Sequence, residues 1–186
     1  MLKHMPAYHN NQTTAPTSRC FWITGLSGSG KTTVANAMVQ QLGRYGIKPL
    51  LLDGDELRQA LPHGQGYTYE DRKKLANSYA RLAKLFTEQG HFVICATISM
   101  YDSVRAWNRK NIPGYHEVYL KVDLQTLKAR DPKALYANAT CNGDAPVIGL
   151  NTTFEEPKQP DMIFISESQL APTDIAQKIL ESTTLK

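Results

Sequence analysis

No stretch of this chain is apolar for long enough to cross a bilayer: the longest run, Phe92 to Ile98, is far shorter than the roughly 20 residues a spanning helix needs. No block of like charge stands out either. The 21 Lys+Arg and 17 Asp+Glu leave a formal net charge of +4, and the basic residues are scattered. Bulk attraction to nucleic acid or to a membrane surface is therefore not expected, and any anion site must be built locally. Cysteine is scarce and odd in number. Cys20, Cys95 and Cys141 fit neither a disulfide framework nor a zinc site, so they read as reduced thiols in a cytoplasmic protein. Cys95, inside the apolar run, reads as a small core residue. With 41% hydrophobic and 20% charged residues, the composition excludes a fibrous or largely disordered chain, and 186 residues suit one domain.

Residues 1–18 hold Asn, Gln, Thr and Pro without an acidic residue or a signal-peptide core, and are expected to form a loose tail. Residues 19–186 are expected to form one domain. Cys20 to Thr24 is a short β-type run ending at glycines, and Val34, Ala35, Met38 and Leu42 then recur at helical spacing until Gly43, the expected C-cap. Pro49 to Leu52 predicts a second buried strand that ends on Asp53-Gly54-Asp55 and completes a βαβ unit. Thr68 and Asp71 form a capping-box-like start to a helix whose Leu75, Tyr79, Leu82 and Phe86 share one face, with Gly90 as its stop. Phe92 to Ala96 is the unbroken apolar strand of a parallel sheet covered on both faces. A polar helix around Ser103 to Lys110, a strand from His116 to Val122 and a short helix from Leu124 to Arg130 follow. A last strand, Met162 to Ile165, and a closing helix bearing Ile175, Ile179 and Leu180 end the pattern. Residues 131–160 carry little periodicity and read as a lid or substrate loop. The alternation predicts a three-layer α/β/α domain with a mostly parallel central sheet.

Gly25-Leu26-Ser27-Gly28-Ser29-Gly30-Lys31-Thr32 satisfies G-x-x-x-x-G-K-[ST], the phosphate-binding loop. It follows a predicted strand and opens a predicted helix, so the backbone from Gly25 through Ser27, Gly28, Ser29 and Gly30 to Thr33 can converge on phosphate oxygens. Lys31 can then reach the outer phosphates of ATP, and the Thr32 hydroxyl can ligate Mg²⁺. A dinucleotide-binding loop is the rival reading, since Asp53 lies at a suitable distance to hold a ribose, but G-x-G-x-x-G is absent. Asp53 and Asp55 end the strand after the loop. A carboxylate there can orient Mg²⁺ or accept the proton of an attacking hydroxyl, and phosphoryl transfer needs both. Arg58, Arg72 and Arg130 can grip an anionic substrate, although each taken alone is more often a surface arginine. No Asn-Lys-x-Asp guanine-reading motif occurs, and the pattern points to a P-loop kinase acting on a small molecule, with no nucleic-acid or membrane partner.

From Phe21 onward the sequence resembles the adenylylsulfate (APS) kinase family. The segments that carry the resemblance are Gly25 to Thr33, Leu52-Asp-Gly-Asp-Glu-Leu-Arg58, Gly66-Tyr-Thr-Tyr-Glu-Asp-Arg72, Ile98-Ser99, Glu117-Val-Tyr119 and Arg130-Asp-Pro-Lys-Ala-Leu-Tyr136. The resemblance implies that MgATP phosphorylates the 3′-hydroxyl of a nucleotide, with Asp55 as base and with Thr32 and Asp53 at the metal. It implies that Arg58, Tyr67 and Arg72 hold the acceptor, Tyr67 by stacking on its base, with Ile98 and Ser99 beside it. It places Arg130 and Lys133 in a mobile segment near the ATP. It also matches Ser99 to a serine proposed in this family as a phosphorylated intermediate, a step that direct transfer does not need. The assembly considered is a homodimer.

Departures from the family pattern fall on the acceptor half. After Asp-Arg the family typically has Glu-Asn-Ile-Arg-Arg, whereas Lys74-Leu75-Ala76-Asn77-Ser78 stands here. Where the family usually has Lys-x-Phe-Thr-Gly this chain has Ala145-Pro146-Val147-Ile148-Gly149, and Met100 replaces a usual proline. Retained donor residues with an altered acceptor side are what a change of acceptor nucleotide would produce. Thr97 to Met100 followed by Asn108-Arg-Lys110 resembles a branch of these kinases that acts on cytidine diphosphoramidate in capsule decoration, as opposed to sulfate assimilation. A nucleotide-binding regulator that has lost its acceptor is the remaining alternative.

Overall fold

The computed structural model describes residues 18–61, 66–131, 134, 136–137, 147–150, 152–165 and 170–183. The strands β1 (Cys20–Thr24), β2 (Leu50–Asp53), β3 (Val93–Ala96), β4 (Tyr115–Lys121) and β5 (Met162–Ile165) form one parallel sheet in the order β2-β3-β1-β4-β5. The helices are α1 (Lys31–Arg44), α2 (Gly54–Ala60), α3 (Tyr69–Glu88), α4 (Asp102–Asn111), α5 (Leu124–Arg130) and α6 (Pro172–Ser182). β1 is the central strand and all five of its residues are buried. Its alternation sends Phe21 and Ile23 to one face, where Val34, Met38 and Leu42 of α1 and Ile179 of α6 meet them. Cys20 and Trp22 go to the other face, against Leu75 and Tyr79 of α3 and Val104 of α4. Each fully buried large apolar side chain here contributes about 1.5–3 kcal/mol relative to exposure, which is why the two faces fix the three-layer order. Cys20 and Cys95 are buried free thiols. Burial pushes the Cys20 thiol up to about 12.

Two local expectations need correction. Gly43 lies inside α1, because Leu42 and the residues before it keep helical backbone through Arg44; the left-handed residue that ends the helix is Gly46, at φ 73°. Asp53-Gly54-Asp55 does not merely end a strand but starts α2, since the Asp53 side chain accepts from the Asp55 N–H and Asp55 and Glu56 occupy the first turn. The βαβ unit is also wider than adjacency suggests: β2 pairs with β3, and β3 separates it from β1. Among the described residues no helix is long and apolar enough to cross a membrane.

The start of α3 matches its sequence signature. Thr68 is the N-cap, its hydroxyl accepting from the Asp71 N–H at 3.1 Å. Thr68→Ala is expected to lower stability by about 1 kcal/mol, the usual worth of such a cap, as read by urea denaturation. Because all the strands run parallel, the segments that follow β1, β2, β3 and β4 gather at one sheet edge. That edge is where open α/β sheets bind ligands.

Candidate active site

The loop after β1 is shaped by glycine. Gly25 has φ 154°, and a Cβ there would lie 2.6 Å from the Leu120 carbonyl oxygen and 2.7 Å from Ser29 Oγ, so no other residue permits this turn. The Ser29 N–H donates to the Leu26 carbonyl at 3.2 Å, and Gly30, at φ 90°, begins α1 without a side-chain cap. A helix start without a side-chain cap beside a cleft favours an anion through its first-turn N–H groups and dipole. Lys31 Nζ folds back over the loop, donating to the Leu26 carbonyl at 2.8 Å and to Ser29 Oγ at 3.5 Å.

Asp53 connects this loop to the next element. It is 7% exposed, and its two carboxylate oxygens do separate work. Oδ2 accepts from the Thr32 hydroxyl at 2.7 Å, and Oδ1 accepts from the Asp55 N–H at 2.9 Å. One buried carboxylate thus fixes both Thr32 and the helix turn that presents Asp55. With its proton given to Asp53, Thr32 Oγ1 has lone pairs left for a cation, so the residues present fit Mg²⁺ with Thr32 as ligand and Asp53 behind it.

A cleft of about 1340 Å³ runs along this edge, with Ser27 to Thr33, Asp53, Asp55, Arg58, Tyr67, Arg72, Ile98, Ser99 and Arg130 on its walls. Gly25 shapes the loop behind that wall. Lys133 lies outside the described residues. Arg58 Nη1 donates to the Gly66 carbonyl and Arg72 Nε to the Tyr67 carbonyl, each at 3.0 Å. Their guanidinium carbons sit 5.0 and 5.3 Å from the Tyr67 ring centroid, within cation–π range. Burial, and then the Arg58 charge, lower the Arg72 pKa. Two cations brought together and partly desolvated are relieved by an anion between them. Ser99 is 6% exposed with φ 28°, and its hydroxyl shares a 2.9 Å hydrogen bond with that of Thr97.

Sequence periodicity placed Tyr79 only in the core and did not single out Tyr101 or Tyr136. Tyr79 also lines the cleft and donates to the Gly54 carbonyl at 3.0 Å, and burial pushes its phenol well up. Tyr101 lines the same wall, with burial raising its pKa to about 12. The Tyr136 hydroxyl donates to the Ser27 carbonyl at 3.0 Å, tying the segment after α5 to the phosphate loop. Hydroxyl contacts between residues this far apart leave no signal in spacing. Leu75 and Val147, two of the positions that depart from the family pattern, are both buried against the cleft.

A parallel α/β/α sheet with a phosphate loop after its central strand, a Thr–Asp pair behind it and a cationic wall beside it define a P-loop kinase. A family model described as adenylylsulphate kinase matches residues 17–165. The chain belongs to the adenylylsulphate kinase family, and is therefore a phosphotransferase that moves phosphate from ATP to a hydroxyl group. It is 43% identical over 149 residues to the adenylyl-sulfate kinase of Bacillus licheniformis, covering 78% of this chain and 75% of that one. It is 39% identical over 137 residues to the cytidine diphosphoramidate kinase of Campylobacter jejuni, covering 74% and 80%. The APS kinase of Mycobacterium tuberculosis, solved with AMPPNP and APS, superposes with a TM-score of 0.82 at 33% identity over 89% of this chain and 97% of that one.

Proposed function

We propose that the protein transfers the γ-phosphate of ATP to the ribose 3′-hydroxyl of adenylylsulfate, working as one kinase domain from residue 19; the lid or substrate loop expected at 131–160 lies in part outside the described residues. The observation that carries this reading is the Asp53 carboxylate. It holds Thr32 on the donor side and the Asp55 amide on the acceptor side, so the two halves of an in-line transfer share one anchor. The loop N–H groups and Lys31 neutralise the triphosphate, and Lys31 must leave the Leu26 carbonyl to do so. Mg²⁺, when bound, would supply charge neutralisation to the phosphates, and Thr32 would hold it with Asp53 behind it. Asp55, exposed at the start of α2, takes the proton as the acceptor oxygen bonds to phosphorus and the bond to the β-phosphate oxygen breaks. Arg58 and Arg72 grip the acceptor's anionic group, and Tyr67 presents its ring to the base. Arg130, on the cleft wall, and Lys133 are assigned to the ATP side by resemblance. Ser99 lies buried against Thr97, which supports direct transfer without a phosphoserine and gives Ile98 and Ser99 a wall-forming role.

A second acceptor, cytidine diphosphoramidate, is favoured by a specific observation. Leu75 and Val147 make part of the cleft wall aliphatic where the family usually offers an amide and an aromatic ring, and the Campylobacter jejuni relative carries that name. The test is ADP release from MgATP with each compound at equal low concentration and Lys31→Ala as blank. Preference for adenylylsulfate supports the main reading. Preference for the cytidine compound transfers the reading to the second acceptor, and silence with both overturns each in favour of a nucleotide-binding regulator.

A further inference from the structure

Glu155 lies behind the acceptor wall, in the segment that leads from Val147 and Ile148 to β5, and it joins three separate pieces of the fold. Its N–H donates to the Met100 carbonyl at 3.0 Å, and its own carbonyl accepts from Arg105 Nη2 at 2.8 Å. One carboxylate oxygen accepts from the Asp102 N–H in the first turn of α4, and the other from the Tyr69 hydroxyl at 3.4 Å. Arg105 is itself 5% exposed and paired with Asp102 and, at 3.5 Å, with Glu117, so the anchor beneath Glu155 is rigid. Tyr69 packs edge-on against the cleft residue Tyr101, with ring centroids 5.2 Å apart.

The consequence for the cleft follows from where these partners sit. Tyr69 begins α3, the helix that carries Arg72, and lies two residues beyond Tyr67. Met100 and Asp102 directly follow Ile98 and Ser99. We infer that Glu155 is a positioning residue for acceptor binding: its carboxylate sets the first turn of α3 against the segment after β3, and so fixes the spacing of Tyr67 and Arg72 from Ile98 and Ser99. A carboxylate at the N-terminal turn of α4 is favoured by the helix dipole and by a charge-assisted bond to the N–H, which makes this a firm point from which to hold Tyr69. The donor half has its own anchors in Asp53 and the phosphate loop, so the effect of Glu155 is confined to the acceptor. The inference rests on the reading that this half of the cleft holds the acceptor.

The test uses the full chain carrying Glu155→Ala, Glu155→Gln or Tyr69→Phe, with adenylylsulfate and ATP varied separately and amide hydrogen exchange read in parallel. Glu155→Ala is expected to raise the acceptor KM about tenfold while leaving the ATP KM within about twofold, since a displaced binding group costs acceptor affinity first. Glu155→Gln, which keeps an acceptor oxygen, should recover most of the loss. Tyr69→Phe should give a smaller rise that disappears in the Glu155→Ala background. Exchange at residues 69–73 and 101–104 should accelerate in Glu155→Ala without any acceptor present. An equal rise in both KM values, or unchanged exchange in those segments, overturns the inference. If the unaltered enzyme phosphorylates neither proposed acceptor, the functional reading fails on its own, and the exchange measurement still decides whether Glu155 holds these segments together.

Discussion

Lys31→Ala is expected to lower kcat/KM for ATP by about 10²–10³, the cost of removing one preorganised donor from a developing phosphoryl charge. The ammonium has no substitute nearby in the loop, whose other contributions are backbone N–H groups. The fold should tolerate the change, because the ammonium's hydrogen bonds to the Leu26 carbonyl and Ser29 Oγ both stay within the loop itself. ADP release at saturating acceptor, with a thermal melt as control, checks both halves of the expectation. A variant that keeps more than a tenth of the activity would remove Lys31 from the transfer step.

Asp55→Asn should separate chemistry from binding. The group that Asp55 gives to Asp53 is its backbone N–H, so the substitution leaves the α2 cap and the Thr32–Asp53 hydrogen bond in place. Only the carboxylate that would take the proton is altered. Turnover is expected to fall at least about 100-fold, in keeping with the worth of a general base, while the ATP dissociation constant stays within about twofold. Single-turnover rates and equilibrium titration with ATP measure the two quantities separately. Turnover within a few-fold of the unaltered enzyme would assign the proton to another acceptor.

The phosphate loop was legible because its information is contiguous: eight residues, a strand before and a helix after. The strands β1, β3 and β5 were legible because unbroken apolar runs between turn residues have few other uses in a chain of this composition. α2 was not, because seven residues beginning at a glycine give no periodicity to read; its one signal was Asp53 followed by Asp55 and Glu56, the order of a capped helix start. Gly43 misled because a glycine within a helix and a glycine ending one look alike until the backbone shows which is left-handed, here Gly46. The sheet brings to one cleft Ser27 to Thr33, Asp53, Asp55, Arg58, Arg72 and Arg130, named from residue type and motif, together with Tyr67, Ile98 and Ser99, named from the family resemblance. The contacts that tie these groups together, Tyr136 to Ser27 and Glu155 to Tyr69 and Asp102, could not be read from the sequence, because their pairing depends on how distant segments pack.

The two buried thiols give the molecule an internal clock. Cys20 and Cys95 sit on β1 and β3 with no exposed surface, and burial holds both thiols far above neutrality, so neither offers a thiolate to a labelling reagent while the sheet is closed. Reaction at either position therefore reports separation of the central strands from the α3 and α4 layer. Its rate, set beside the rate of turnover, distinguishes motions of the cleft from opening of the fold beneath it.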